Sequence, residues 1–168
     1  MSETSPPSLD SGNSSLEHQT VSDAERLRAS TGEAVGGDSI PPTVQETPLT
    51  VYLAGGMKSA WQDRVIAAHP EIRFLDPRSH GFTAEHEYTE WDLSAIRESD
   101  VVLAYMDTDN PSGFGLSLEV GYARALGKTI LYACEDTSPR QKYFGMVRCC
   151  SNVTFTSLDD AIEGLNNL

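Results

Sequence analysis

Basic residues are scarce in this 168-residue chain: 12 Lys and Arg stand against 25 Asp and Glu, a formal charge of −13. Affinity for polyanions comes from clustered cations that neutralise phosphates, so a nucleic-acid polymer or an anionic membrane is excluded as the main partner. Long apolar runs are missing as well. Nothing approaches the roughly 18–20 residues that cross a bilayer, and the start of the chain has neither the basic end nor the apolar core of a secretory leader. A cytoplasmic protein with no membrane partner is expected. Cysteine is sparse, and Cys134, Cys149 and Cys150 make no CxxC pair and no His/Cys cluster, which indicates neither a disulfide framework nor a zinc site. G-x-G-x-x-G and G-x-x-x-x-G-K-[ST] are absent, so the dinucleotide and P-loop readings lose their support. There is no G-x-S-x-G, and Ser117 therefore does not sit on a nucleophile elbow. Glu85-His86-Glu87 has no further ligand at the spacing of a recognised metal site. No metal or cofactor is expected.

Aromatic residues are absent from Met1 to Thr47, a stretch of Ser, Thr, Gly, Pro and acid. Such a composition cannot bury enough apolar surface to offset the entropy of ordering, so residues 1–48 read as a disordered acidic tail. Within it, Val21–Ser30 can form only a transient helix. Eight acids (Glu3, Asp10, Glu17, Asp23, Glu25, Glu33, Asp38, Glu46) against Arg26 and Arg28 give the tail −6 and leave −7 for residues 49–168. That remainder reads as one domain.

Short apolar runs and segments of helical spacing alternate from Leu49 onward. Thr50–Ala54, Ile72–Leu75, Val101–Met106, Thr129–Ala133 and Val153–Phe155 read as buried strands. Helical segments are expected over Ser59–His69, Tyr88–Glu98, Ser117–Leu126 and Pro139–Arg148, with a last one from Leu158. Strict alternation with strands apolar on both faces indicates an α/β fold: a flavodoxin-like three-layer sandwich around a five-stranded parallel sheet. Ligands in such sheets bind beyond the carboxyl ends of the strands, which directs attention to the segments after Ala54, Leu75, Met106 and Ala133.

After the first strand, Gly55-Gly56 can present backbone N–H groups to a phosphate or sugar oxygen, or simply make a tight βα turn. After the second, Asp76-Pro77-Arg78 offers a carboxylate acceptor at the ligand edge, or an ordinary turn with a local ion pair. After the third, a polar loop from Asp107 carries Gly113 and Gly115 and runs into a helix holding Ser117 and Glu119. Leu116, Val120 and Ala123 form its packing face. Glu119 falls off that face and is expected in the first turn, where the positive helix end favours the ionised form suited to attack an electrophilic carbon. A helix-start acid that merely complements the dipole would look the same. Asp92, between Trp91 and Ala95, is expected in partly apolar surroundings that help it retain a proton, as a general acid requires. Its alternative is a solvated helix acid.

Three blocks carry a resemblance: Val51-Tyr52-Leu53-Ala54-Gly55; Trp91-Asp92-Leu93-Ser94-Ala95-Ile96 followed by Asp100-Val101-Val102; and Gly115-Leu116-Ser117-Leu118-Glu119-Val120-Gly121-Tyr122-Ala123 with Gly127-Lys128. Together, from about Thr50 to Phe155, the chain resembles the nucleoside 2-deoxyribosyltransferases and the related 2'-deoxynucleoside 5'-monophosphate N-glycosidases. The resemblance implies that Glu119 is the nucleophile, that Tyr52 orients it, and that Asp92 binds and protonates the departing base. It also implies a small-molecule nucleoside or nucleotide and a free nucleobase as partners, no cofactor, and nucleoside salvage as the setting. Hydrolysis instead of transfer, and a nucleotide-binding module without turnover, are the competing readings. The transferases complete the pocket with a neighbour's segment that presents an asparagine to the sugar 5'-hydroxyl, whereas here Gln141-Lys142-Tyr143-Phe144-Gly145-Met146 has none. The apolar group Tyr143, Phe144 and Met146 suggests a homo-oligomer with sites near the subunit interfaces.

Overall fold

The structure is a computed structural model that describes residues 47–108 and 113–168. The tail expected over residues 1–48, with its Val21–Ser30 stretch, lies outside the described residues except for Thr47 and Pro48, as do Asp109, Asn110, Pro111 and Ser112. In chain order the elements are β1 (Thr50–Gly55), α1 (Trp61–Ala68), β2 (Arg73–Leu75), α2 (Glu85–Glu98), β3 (Val101–Met106), α3 (Phe114–Ala125), β4 (Thr129–Cys134), α4 (Gly145–Cys150), β5 (Val153–Phe155) and α5 (Leu158–Leu165). Short 3₁₀ segments precede α2 (Pro77–Ser79) and α4 (Pro139–Phe144).

The five strands form a parallel sheet in the order β2-β1-β3-β4-β5, the flavodoxin-like arrangement expected from the alternating pattern. Strand periodicity decides which face each residue serves. Tyr52 and Ala54 of β1, with Val102, Ala104 and Met106 of β3, pack against α2, α3 and α4 through Ile96, Leu116, Val120, Ala123 and Val147. Their alternates Val51, Leu53, Val101, Leu103 and Tyr105 pack against α1 and α5 through Trp61, Val65, Leu158 and Leu165. This makes three layers. Every residue of β3 is buried, as a strand covered on both faces requires.

Several boundaries differ from those expected. Helix α3 starts at Phe114 rather than Ser117, because Gly113 takes up a left-handed conformation (φ +67) as the cap and releases the chain straight into the helix. Phe114 is 78 % exposed, so it contributes nothing to the apolar period that marks a helix. Helix α2 starts at Glu85 rather than Tyr88, its acidic first turn (Glu85, Glu87) complementing the helix dipole. The segment expected as a helix over Pro139–Arg148 is a 3₁₀ turn followed by α4, and α1 begins only at Trp61. Phe144 does not belong to an exposed apolar group: it turns inward against the backbone of Gly113, leaving Tyr143 and Met146 outside at 75 % and 80 % exposure.

Candidate active site

The inward face of β1 places Tyr52 beneath the contact between α2 and α3. Its side chain is fully buried, and its hydroxyl donates to Glu119 Oε1 at 2.8 Å across 67 residues of sequence. Asp92 of α2 faces the same hydroxyl, and burial, with the two carboxylates adding to it, holds the Tyr52 pKa far above its usual range. Tyr52 is therefore a permanent donor. Between α2 and α3 lies a cavity of about 280 Å³ lined by Tyr88, Thr89, Asp92, Leu93, Phe114, Gly115, Leu118 and Glu119. Two acids face an otherwise largely apolar wall. Of the described residues that line it, none is a Lys or Arg.

The electrostatics of Glu119 depart from expectation. As the sixth residue of α3, it lies beyond the first turn, where the helix field has fallen away. Burial pushes its pKa up from 4.5 to about 7, the Asp92 charge adds to the rise, and the Tyr52 hydrogen bond opposes it. Asp92 is also raised, mainly by burial, in the direction expected, with Tyr52 and His80 opposing. Two acids partly withdrawn from water and flanking one tyrosine titrate as a unit that retains a proton toward neutral pH. Because Glu119 is the more deeply enclosed, more of that proton resides on it than a helix-start acid would carry. Its shift to Asp92 is favoured by the Tyr52 hydroxyl, which stabilises Glu119 as carboxylate.

Of the residues singled out in the sequence, Tyr52, Asp92, Gly115 and Glu119 come together here. The others sit elsewhere. Gly55 lies where a Cβ would approach the Tyr105 carbonyl oxygen to 2.6 Å, and the Gly56 carbonyl accepts from Trp61 Nε1 and Gln62 Nε2. Asp76 and Arg78 pair with each other through two-pronged contacts of 2.7–3.1 Å, with Arg78 reaching Asp63 as well. Gly113 is buried behind α3 against Met106 and Phe144, and the Ser117 hydroxyl donates back to the Gly113 carbonyl at 3.0 Å. Among the described residues no cluster of three or more His, Cys, Asp or Glu is placed to hold a metal ion.

Sequence reasoning missed Tyr88, Thr89, Leu93, Phe114 and Leu118 as lining residues. The signal was available: Tyr88 stands four residues before Asp92, and Phe114–Leu118 is an exposed i, i+4 apolar pair beside Glu119. It also missed the buried Asp107 at the end of β3, which accepts from the Ser59 hydroxyl.

Residues 48–137, more than half of the chain, match the family described as nucleoside 2-deoxyribosyltransferase like. The chain belongs to that family. Among solved structures, the 2-deoxyribosyltransferase of Leishmania mexicana superposes with a TM-score of 0.57 at 23 % identity, covering 71 % of this chain and 98 % of that one. A CMP N-glycosidase of Clostridium botulinum gives 0.51 at 21 % identity, covering 71 % and 99 %. The 2-deoxyribosyltransferase of Bacillus psychrosaccharolyticus gives 0.54 at 17 %, covering 67 % and 90 %. No curated protein matches the chain in sequence. Membership in the deoxyribosyltransferase-like family sets the chemistry in general terms as making or breaking a bond between a base and a sugar. No helix among the described residues is long and apolar enough to cross a membrane.

The raised Glu119 pKa has a consequence for stability in this family member. Between 4.5 and about 7 the folded state holds a proton that the unfolded chain has released, so stability falls as pH rises through that window. Glu119→Gln removes this dependence. Relative to wild type, and normalised at about pH 4, the variant is expected to gain about 1–3 kcal/mol by pH 8 in urea unfolding. A wild-type-to-variant difference that stays constant over this range would contradict the burial of Glu119.

Proposed function

We propose that the protein transfers 2-deoxyribose between nucleobases through a covalent ester on Glu119. The observation that carries this reading is the single hydrogen-bonded unit of Tyr52 and Glu119 with Asp92 beside it at one cavity. Cleavage of an N-glycosidic bond passes through an oxocarbenium-like state, and carboxyl groups placed on either side of it lower the barrier in two ways. Asp92 donates its proton to the base as the C1'–N bond breaks with its electron pair going to the base. Glu119, as carboxylate, forms the C1'–O bond. An incoming base then attacks C1', the ester C–O bond breaks, and the proton of the incoming base passes to Asp92. Water in place of that base gives free sugar and makes the same site an N-glycosidase.

The acidic, largely apolar lining favours an uncharged nucleoside over a 5'-monophosphate, because a phosphate beside Asp92 and Glu119 would be repelled. In this reading the proton held by the acid pair is essential, and turnover falls above about pH 7 as it is lost. The exposed Tyr143 and Met146 fit a homo-oligomer that covers neighbouring sites. A cytoplasmic role in nucleoside salvage completes the proposal, with residues 49–168 as the catalytic domain and residues 1–48 as a tail outside it.

Incubation with 2'-deoxyinosine, with and without adenine, and with deoxynucleoside monophosphates tests this by chromatography of the products. Deoxyadenosine is expected only when adenine is present; free hypoxanthine without an acceptor indicates hydrolysis, and selective use of monophosphates contradicts the preference for nucleosides. Glu119→Ala is expected to lose activity on the order of 10⁴-fold, and Asp92→Asn about 10²–10⁴-fold. Wild-type turnover in Glu119→Ala would overturn the mechanism. For the assembly, sedimentation should show an oligomer at micromolar concentration, and a monomer would contradict it.

A further inference from the structure

Two buried polar atoms near the site lack partners: Asp92 Oδ1 and His80 Nε2. His80 lies in the connection between β2 and α2, and its ring is confined by aromatic neighbours. Phe82 stacks on it with centroids 5.1 Å apart, and Trp91, the residue before Asp92, meets it at 5.0 Å and 59°. Across the turn at Gly81, the Phe82 backbone N–H donates to His80 Nδ1 at 2.8 Å. A backbone amide can only donate, so Nδ1 carries a lone pair and the neutral ring carries its hydrogen on Nε2. The orphan at His80 is thus a donor, and the orphan at Asp92 is an acceptor. The two residues lie within electrostatic reach of each other, His80 being among the groups that lower the Asp92 pKa. Leaving either unmatched is costly in a buried site, and each supplies what the other lacks.

We propose that His80 is a positioning residue for Asp92, its Nε2–H donating to Oδ1, directly or across one water, as Asp92 passes its proton to the departing base. The donated hydrogen bond stabilises the carboxylate that appears when the proton leaves, and it holds Asp92 with its other oxygen toward the cavity. His80 is not among the residues lining that cavity and acts through Asp92, not on the substrate. Facing Asp92 are Tyr52 from β1 and His80 from the β2–α2 connection, both favouring its ionised form, and Glu119 from α3, whose pKa the Asp92 charge raises. Tyr52, which donates to Glu119, also favours the Asp92 carboxylate, and the unmatched Nε2–H of His80 is the second donor on hand for it.

This inference rests on the glycosyl-transfer reading, and its test separates the two. In the full chain, His80→Phe keeps an aromatic ring but removes the donor, whereas His80→Gln restores an N–H near the same place. For base release from a deoxynucleoside, His80→Phe is expected to lower kcat about 10- to 100-fold with KM within about 2-fold. The alkaline limb of kcat should move to higher pH because Asp92 becomes a weaker acid, and His80→Gln should recover most of the rate. An unchanged kcat, a loss confined to KM, or a loss without recovery in His80→Gln and without movement of the limb would overturn the proposal. Nitrogen NMR of the wild-type imidazole gives a readout that needs no turnover. The ring should be the Nε2–H tautomer with a resonance that moves in Asp92→Asn, and an Nδ1–H ring or a resonance indifferent to Asp92 would also overturn it. A wild-type protein that cleaves no deoxynucleoside, with this NMR signature intact, defeats the glycosyl-transfer reading and leaves the His80–Asp92 contact standing.

Discussion

A buried tyrosine hydroxyl that donates at 2.8 Å to a glutamate on a distant helix ties the sheet to the chemistry of the site. Burial raises the Glu119 pKa, and the Tyr52 hydrogen bond works in the opposite direction and keeps an ionised form within reach near neutral pH. Tyr52 can do this only because it lies on the sheet face covered by α2 and α3, and that face is set by its parity along β1. The same parity brings Asp92 and Glu119 over one hydroxyl. A one-residue slip of β1 would turn Tyr52 toward α1 and α5 and take its hydroxyl away from both acids.

The two acids are not independent residues with fixed protonation states. The Asp92 charge raises the proton affinity of Glu119, both acids are partly withdrawn from water, and the Tyr52 hydroxyl between them donates at 2.8 Å to Glu119. That division of labour suits a reaction needing a carboxylate and a carboxylic acid at once. The apolar lining from Tyr88, Leu93, Phe114 and Leu118 leaves the two acids with few polar neighbours in the cavity. The structural relatives share this fold at 17–23 % identity, a level that speaks to architecture alone.

Much of the architecture was legible in the sequence because parallel strands buried on both faces leave uninterrupted apolar runs, as in Val101–Met106, and helices on either side leave a regular alternation. Helix starts were less legible. Phe114 and Gly115 look like loop because neither contributes to the core, and Tyr143-Phe144 looks like one apolar group although Phe144 alone points inward. Tyr52, Asp92 and Glu119 were identifiable as residues, yet the protonation of Glu119 was read wrongly. The reason is physical: the helix field acts locally and can be read from position, whereas enclosure is produced by segments far apart in the chain. Nothing in the sequence marks His80, because its tautomer follows from the Phe82 amide that folding brings to Nδ1 and its orphaned nitrogen from the neighbours that enclose it.

The central claim is that Glu119 becomes covalently bonded to the sugar. Intact-protein mass spectrometry after acid quench of a brief incubation with 2'-deoxynucleoside, followed by peptide mapping, tests it most directly. The account predicts an added deoxyribosyl mass on the peptide containing Glu119, discharged by an added nucleobase and absent in Glu119→Ala. Release of base with no adduct at any quench time, or an adduct on another residue, would contradict it.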